Sequence, residues 1–538
     1  MRAKMAALAG APGAEEHCWA PGFPCGPIES MKHTDNEPDT APRGSELANA
    51  SVVLMLSGLA GILTLFITNA IALRLVPLPQ WNSIIKYYVV AATITVFLKL
   101  GLPESILYFV SRENSRERGL GLFWRTSLLL LCSGAAILSL LFLFPAALDW
   151  VTGESSEGLT APLAAIVLME LGLGALPPYF VATGRVRLAG GFAILSRIPI
   201  GLGLILVAAL SGTIAEVMWA IAGGSFLSLL VGWILIFYTS RGIQIRAPGV
   251  PLREQVKFSL PLGASRIAGT ANIQMDKFVV MLFFASEFAI YERGATELPL
   301  AAMICGATMQ ALMPSLVQAD ARGDRKRFVE LWHASIEKIS LVVLPLFFFC
   351  FLFAEELYVL SFGADFLPSS QLFRIYLLLL LLRVTNYGML MQALGRTRVP
   401  LNAAVIALVL NLILNFAFVH LLGFPGPAIA TVVALVGSSA YTFWAIGDAL
   451  DMPLRSIFPL HRYGTNLACA GAAALPAWVL VGMVPGIVWK LMAGGVVYLG
   501  AYLFLCHVFR LMTGEDWRFI KGLAKLSFLK EQRSENHG

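Results

Sequence analysis

Fourteen long apolar runs follow one another from Ala48 to residue 509, and they leave this chain one kind of solvent to fold in. They lie near 48–76, 84–111, 120–148, 160–182, 187–211, 215–239, 257–284, 287–317, 334–361, 367–393, 399–421, 425–447, 463–484 and 487–509. About 20 apolar residues in a helix span a bilayer, and a helix satisfies its own backbone there. Strands of a transmembrane barrel would be about 10 residues long with alternating polarity, which these runs are not. The chain is 57% hydrophobic and 13% charged, whereas soluble domains carry about 25% charged residues. The fold class is therefore all-α, a polytopic membrane protein of about 14 transmembrane helices.

Every second connection is basic. Arg112, Arg116, Arg118 and Arg125 follow the second run, and Arg185 and Arg187 the fourth. Arg241, Arg246, Arg253 and Lys257 follow the sixth, and Arg322, Arg325, Lys326 and Arg327 the eighth. Arg396 and Arg398 follow the tenth, and Arg455 and Arg462 the twelfth. The intervening loops nearly lack Lys and Arg, Lys490 excepted. The positive-inside rule then puts both termini in the cytoplasm and requires an even helix count. It also accounts for the net charge of +6 without a nucleic-acid partner; the partners of such loops are membrane lipids.

Residues 1–46 have no apolar period and read as a disordered cytoplasmic tail, with Met31 an alternative start. Cys18 and Cys25 beside His17 match no zinc or redox spacing. The other five cysteines lie in apolar runs as small hydrophobes, so neither a metal nor a cofactor is expected. Residues 510–538 read as a cytoplasmic amphipathic tail, with Trp517, Phe519, Ile520, Leu523, Leu526 and Leu529 on one face and lysines beside them.

The chain also repeats itself. A Pro, a short apolar stretch and an Arg cluster end both the second and the eighth run. Pro103 and Pro314 stand 211 apart (314 − 103), as do Arg116 and Arg327 (327 − 116) and Gly212 and Gly423 (423 − 212). The spacing predicts two parallel six-helix lobes, 48–239 and 257–447, with 463–509 adding the last two helices. Lobes so related enclose a central cavity that rocking opens to either side.

The stretch from Gly263 to Leu316 carries full charges inside two apolar runs that meet at the short turn Ala-Ser-Glu-Phe. Across the chain, the ionisable residues within the span are Lys99, Glu104, Glu170, Arg197, Arg266, Asp276, Lys277, Glu292, Arg293, Glu297, Arg374 and Arg383. A charge at bilayer depth costs about 2.5–3.5 kcal/mol on the mildest scale, so such residues face protein or water. Each has two readings: a pair that locks helices together, or a lining group of a polar path. Glu104 and Lys277 lie near helix ends and read as snorkelling side chains. Asn411 and Asn415, one turn apart, share a face suited to interhelical hydrogen bonds; Asn402 is on the same helix. Enzymatic motifs are absent from fitting contexts, and the outer loops are too short for a catalytic domain.

Three stretches carry a resemblance: GLPESILYFVSR, MDKFVVMLFFASEFAIYERGATELPL and ALVLNLILNFAFVHLLGFPGPAIATVVA. With them the chain resembles the polysaccharide (O-antigen type) flippases of the multidrug/oligosaccharidyl-lipid/polysaccharide exporter superfamily. It departs at Pro425-Gly426-Pro427, where that family more often has Gly-Ala, and in the apolar turn FASEFAIYERGA. The resemblance implies a transporter, not an enzyme. It would move a polyprenyl-diphosphate-linked oligosaccharide across the bacterial inner (cytoplasmic) membrane by alternating access, for surface polysaccharide biosynthesis. A polysaccharide polymerase and a chain-length regulator would be its further partners. It further implies that Arg197, Arg266, Arg293, Arg383 and Lys99 hold the anionic substrate. Glu170, Asp276 and Glu297 would bind a coupling ion or proton. The alternatives are a small-molecule or multidrug antiporter of the same superfamily, using Glu170 and Asp276, or a membrane polysaccharide polymerase or ligase.

Overall fold

A computed structural model describes residues 44–512 apart from 114 and 397, with side chains from Ser57 onward save Leu454. The two terminal tails, with Met31, Cys18, Cys25 and the amphipathic segment, lie outside the described residues. From Asn49 on the described chain forms one unit, and every regular element in it is helical. It is an all-α polytopic membrane protein.

Twelve described helices are each long and apolar enough to cross a bilayer. Two of the fourteen runs fall outside that set, for different reasons. The Leu252–Phe283 helix is long but bears Arg253, Glu254, Lys257, Arg266, Asp276 and Lys277. The tenth run breaks into Ser369–Leu377, Leu378–Leu381 and Tyr387–Ala393, with residues 382–386 unwound between them.

Other runs are interrupted as their sequence dictates. The second divides into Leu78–Lys99 and Leu102–Arg112, because Leu100 (φ 45°) and Gly101 (φ 72°) are left-handed ahead of Pro103. The break is packed: a Cβ on Gly101 would sit 2.4 Å from the Ser259 carbonyl oxygen, and one on Gly263 would sit 2.4 Å from the Leu100 carbonyl carbon. The fourth run stops at Ala175 before Pro177-Pro178, and residues 295–298 separate Phe288–Gly294 from Pro299–Ala321. Arg116, Arg118 and Arg125, read above as a loop cluster, lie instead within the Arg116–Leu143 helix.

The elements repeat along the chain. Arg116–Leu143 recurs as Arg325–Leu352 (325 − 116 = 209), and Ile214–Thr239 as Gly426–Leu450 (426 − 214 = 212). Between them, the starts at Thr160 and Ser369 differ by 209 (369 − 160), and those at Val186 and Arg398 by 212 (398 − 186). These offsets bracket the 211 of the sequence.

Two helices carry contacts between residues 48–239 and 257–447. Leu252–Phe283 packs on both pieces of the second run and on Arg398–Leu422. At its N-terminal end the buried Gln255 accepts from Arg125 Nη2 (2.8 Å) and donates to Ser105 Oγ (2.9 Å) and Thr126 Oγ1 (2.7 Å). Beyond its C-terminal end, Asn82 of Leu78–Lys99 donates to the Ala285 carbonyl (2.8 Å) and accepts from the Ala289 N–H (2.7 Å). The last two helices, Leu460–Val481 and Ile487–Val508, pack on Arg325–Leu352 through Ala470, Ala473 and Ala477. Tyr502 OH also donates to the Leu341 carbonyl (3.0 Å) and Asn466 Oδ1 (2.8 Å).

Candidate functional site

Six helical runs, four from the first half and two from the second, wall a cavity of about 320 Å³. Arg197 enters it from Arg197–Ala209, Lys277 and Gln274 from Leu252–Phe283, and Glu292 and Arg293 from Phe288–Gly294. The last helix is short, yet its side chains are fixed. Tyr358 OH donates to the Arg293 carbonyl (2.9 Å), Ser369 Oγ donates to the Ile290 carbonyl (2.7 Å), and the Arg293 guanidinium lies over the Phe362 ring at 5.2 Å.

Glu292 sits between two cations, 3.8 Å from Lys277 and 3.3 Å from Arg293, all three being 14–16% exposed. Arg197 is exposed, lies within hydrogen-bonding reach of Tyr88, and forms no ion pair among the described residues. The cavity thus holds three cations against one carboxylate. Among the described residues, four buried polar atoms on its wall lack a hydrogen-bond partner: Trp81 Nε1, Gln274 Oε1, Glu292 Oε2 and Arg293 Nε. None of the four atoms opens onto the cavity surface, and Glu292 Oε2 still meets Arg293 Nη2 as an ion pair at 3.3 Å.

Two further cavities continue from this one. Arg197 and Ile200 also wall a space of about 270 Å³ with Lys99 and Glu170. Lys99 and Gly174 in turn wall a third, about 300 Å³, with Glu104 and Arg266. Gly174 leaves room for the lysine stem, since a Cβ there would fall 2.9 Å from Lys99 Cε. Glu170 accepts weakly from Ser225 Oγ at 3.5 Å, and Arg266 Nε meets Glu104 Oε1 at 2.8 Å. Lys277, 14% exposed, faces Glu292 inside the protein rather than snorkelling. Glu104, 30% exposed, pairs with an arginine that is itself 67% exposed.

Other sequence candidates lie elsewhere. Asp276 is fully buried: Tyr291 OH donates to its Oδ2 at 2.9 Å, Tyr376 OH donates to the same oxygen, and the Lys277 N–H donates to Oδ1 at 2.8 Å. It lines none of these three cavities. Arg383 pairs with Glu297 through Nε–Oε2 (3.1 Å) and Nη2–Oε1 (2.8 Å), on a separate cavity of about 380 Å³. Arg374 is paired with Glu355 at 2.9 Å near the outer end. Asn411 donates to the Asn272 carbonyl (2.9 Å), the interhelical role expected of it, whereas Asn415 donates to the Asn411 carbonyl (2.8 Å) within its own helix.

Sequence reasoning missed Trp81, Gln274 and Lys86. Gln274 stands one turn before Lys277 on the same face, a signal available from spacing; nothing in the sequence marks Trp81. Lys86 is 1% exposed and meets Glu154 Oε1 of the outer loop at 2.5 Å. No group of three or more His, Cys, Asp or Glu among the described residues is arranged to hold a metal.

Comparison with known proteins bears on this geometry. Residues 84–371 match a family model described as polysaccharide biosynthesis protein. A curated relative, the probable low-salt glycan biosynthesis flippase Agl15 of Haloferax volcanii, is 27% identical over 173 residues, 32% of this chain and 37% of that one. The matched part thus spans little more than a third of the relative. Among solved structures, the lipid II flippase MurJ in an inward closed conformation superposes with a TM-score of 0.63 at 16% identity, covering 86% of this chain and 98% of that one. An outward-facing multidrug resistance MATE family transporter of the MOP superfamily gives 0.52 at 16% identity, covering 76% and 96%. At these identities the likeness is one of fold.

Proposed function

The chain belongs to the polysaccharide biosynthesis protein family, and on that premise we propose that it is a flippase for a polyprenyl-diphosphate-linked oligosaccharide. The observation that carries the reading is the cationic cavity. Arg197, Lys277 and Arg293 outnumber Glu292 there. Arginine and lysine in a partly desolvated site hold the delocalised charge of a diphosphate well. A route through Lys99 and Arg266 toward the inner side gives that anion successive cations to exchange between.

In this proposal the halves 48–239 and 257–447 are lobes that rock about the cavity. The outer side is closed by Asn82 on the 285–289 turn, and the inner side opens and closes where Gln255 docks on Ser105 and Thr126. Substrate enters from the inner leaflet and leaves to the outer one; no bond is made or broken. Both termini are cytoplasmic and the membrane is the cytoplasmic one, as the basic loops support. A polymerase and a chain-length regulator act on the delivered units. For coupling we assign Glu170, the carboxylate that lines the route beside Lys99 and Arg197 without a salt bridge among the described residues, while Asp276 and Glu297 serve as anchors of tyrosine and arginine partners. Hence Glu170→Gln slows transport while substrate affinity changes less than about twofold.

The test is a deletion strain. Lipid-linked oligosaccharide is expected to accumulate on the cytoplasmic leaflet, with surface polysaccharide lost and restored by the wild-type gene. Unchanged surface polysaccharide with no accumulation would overturn the reading in favour of small-molecule efflux.

A further inference from the structure

The cavity of about 380 Å³ in the second half differs in chemistry from the cationic one. It is walled by the unwound residues 382–386, the Pro299–Ala321, Arg398–Leu422 and Gly426–Leu450 helices, and Asn272. Its one arginine, Arg383, is neutralised by two hydrogen bonds to Glu297. The remaining polar groups include amides and hydroxyls: Asn272, Asn386, Tyr387, Ser439 and, already bonded within the protein, Thr385, Ser438 and Thr442. Asn386 spends its Oδ1 on the Met389 N–H (3.0 Å), which keeps its NH2 available as a donor. Among the described residues, neither that NH2, Arg383 Nη1 nor Ser439 Oγ has a protein partner. A pocket with no net charge, several open donors and a carboxylate edge suits a neutral polyhydroxyl ligand better than an anion.

The two cavities lie on either side of one helix. Thr296 lines the cationic cavity, while its chain neighbour Glu297 bonds to Arg383 on the other. Gln274 lines the first and Asn272 the second, two residues and about 200° apart on Leu252–Phe283, so that helix stands between them. A ligand with a charged end and a neutral glycan end reaches both by passing beside that helix. We propose that this second cavity is a glycan subsite, taking neutral sugar units of the substrate whose diphosphate occupies the cationic cavity; it rests on the flippase reading above.

The probes are the lipid-linked oligosaccharide extracted from membranes of cells lacking the protein, and the same lipid diphosphate after its glycan has been hydrolysed off. Both are titrated against the detergent-purified full chain. The wild type is expected to bind the intact compound about tenfold more tightly than the glycan-free one. Ala404→Phe, which fills the cavity from an exposed position, and Ser439→Leu should each erase that preference. Equal binding of the two probes to the wild type, or a preference that survives both variants, overturns the subsite and leaves the flippase reading standing. If the wild type binds neither probe, the flippase reading falls and the subsite with it.

Discussion

Lys86 shows how much a single residue decides here. Its ammonium is 1% exposed and its partner Glu154 comes from an outer loop, so the loop is held onto the second run by a desolvated ion pair. Removing one member of such a pair strands the other. Glu154→Gln should cost about 3–5 kcal/mol and lower the melting temperature in detergent, whereas Glu157→Gln on the same loop should be near neutral. Gly101 is equally exacting. Its left-handed φ and the Ser259 carbonyl oxygen 2.4 Å from an added Cβ leave no room for a side chain. Gly101→Ala should lose about 2 kcal/mol or more, read as the same thermal shift. Most of the charged residues were legible in the sequence one by one, because charge inside an apolar run stands out; Lys86, close to the start of its run, was not. Their partners were not: Arg266 meets Glu104 and Arg383 meets Glu297 across chain separations that no local pattern encodes.

At the scale of elements, the breaks in the helices organise the site. The unwinding at 295–298 turns Thr296 and Glu297 toward different cavities, and that at 382–386 opens the wall of the second. Breaks fall just ahead of Pro177 and Pro299, yet Pro261 and Pro345 stand inside unbroken helices, and the unwinding at 382–386 has no proline; the sequence reading missed it. The last two helices are tied to Arg325–Leu352 through Tyr502 and Asn466. Tyr502→Phe should cost about 1 kcal/mol and raise amide exchange in Leu460–Val481 selectively. The outer loop also titrates. The Ser156 hydroxyl and backbone N–H hold the Asp149 carboxyl below its ordinary 3.8, so its contribution is complete above the unfolded carboxylate pKa and is lost as pH falls through the lower folded value. Exchange of the Ser156 amide should therefore exceed the intrinsic trend only in that acid window, and Asp149→Asn should remove the step.

For the whole molecule, the all-α polytopic class was present in the sequence, since it follows from apolar length; orientation and the two lobes are expectations drawn from loop charge and from the 211-residue spacing. What the sequence does not encode locally is lateral packing, and lateral packing decides which cations share a space. It brings Arg197, Lys277 and Arg293 to one cavity and sends Arg383 and Asp276 elsewhere. The central claim is that this shared cavity carries the anionic head of the substrate. The most direct measurement is the leaflet distribution of lipid-linked oligosaccharide in deletion cells complemented, at matched membrane abundance, with wild type, with Arg197→Ala/Arg293→Ala, or with Arg374→Ala as an outer ion-pair control. The account predicts that wild type and the control clear the cytoplasmic leaflet while the double variant leaves the oligosaccharide there. Clearance by the double variant equal to wild type would contradict it.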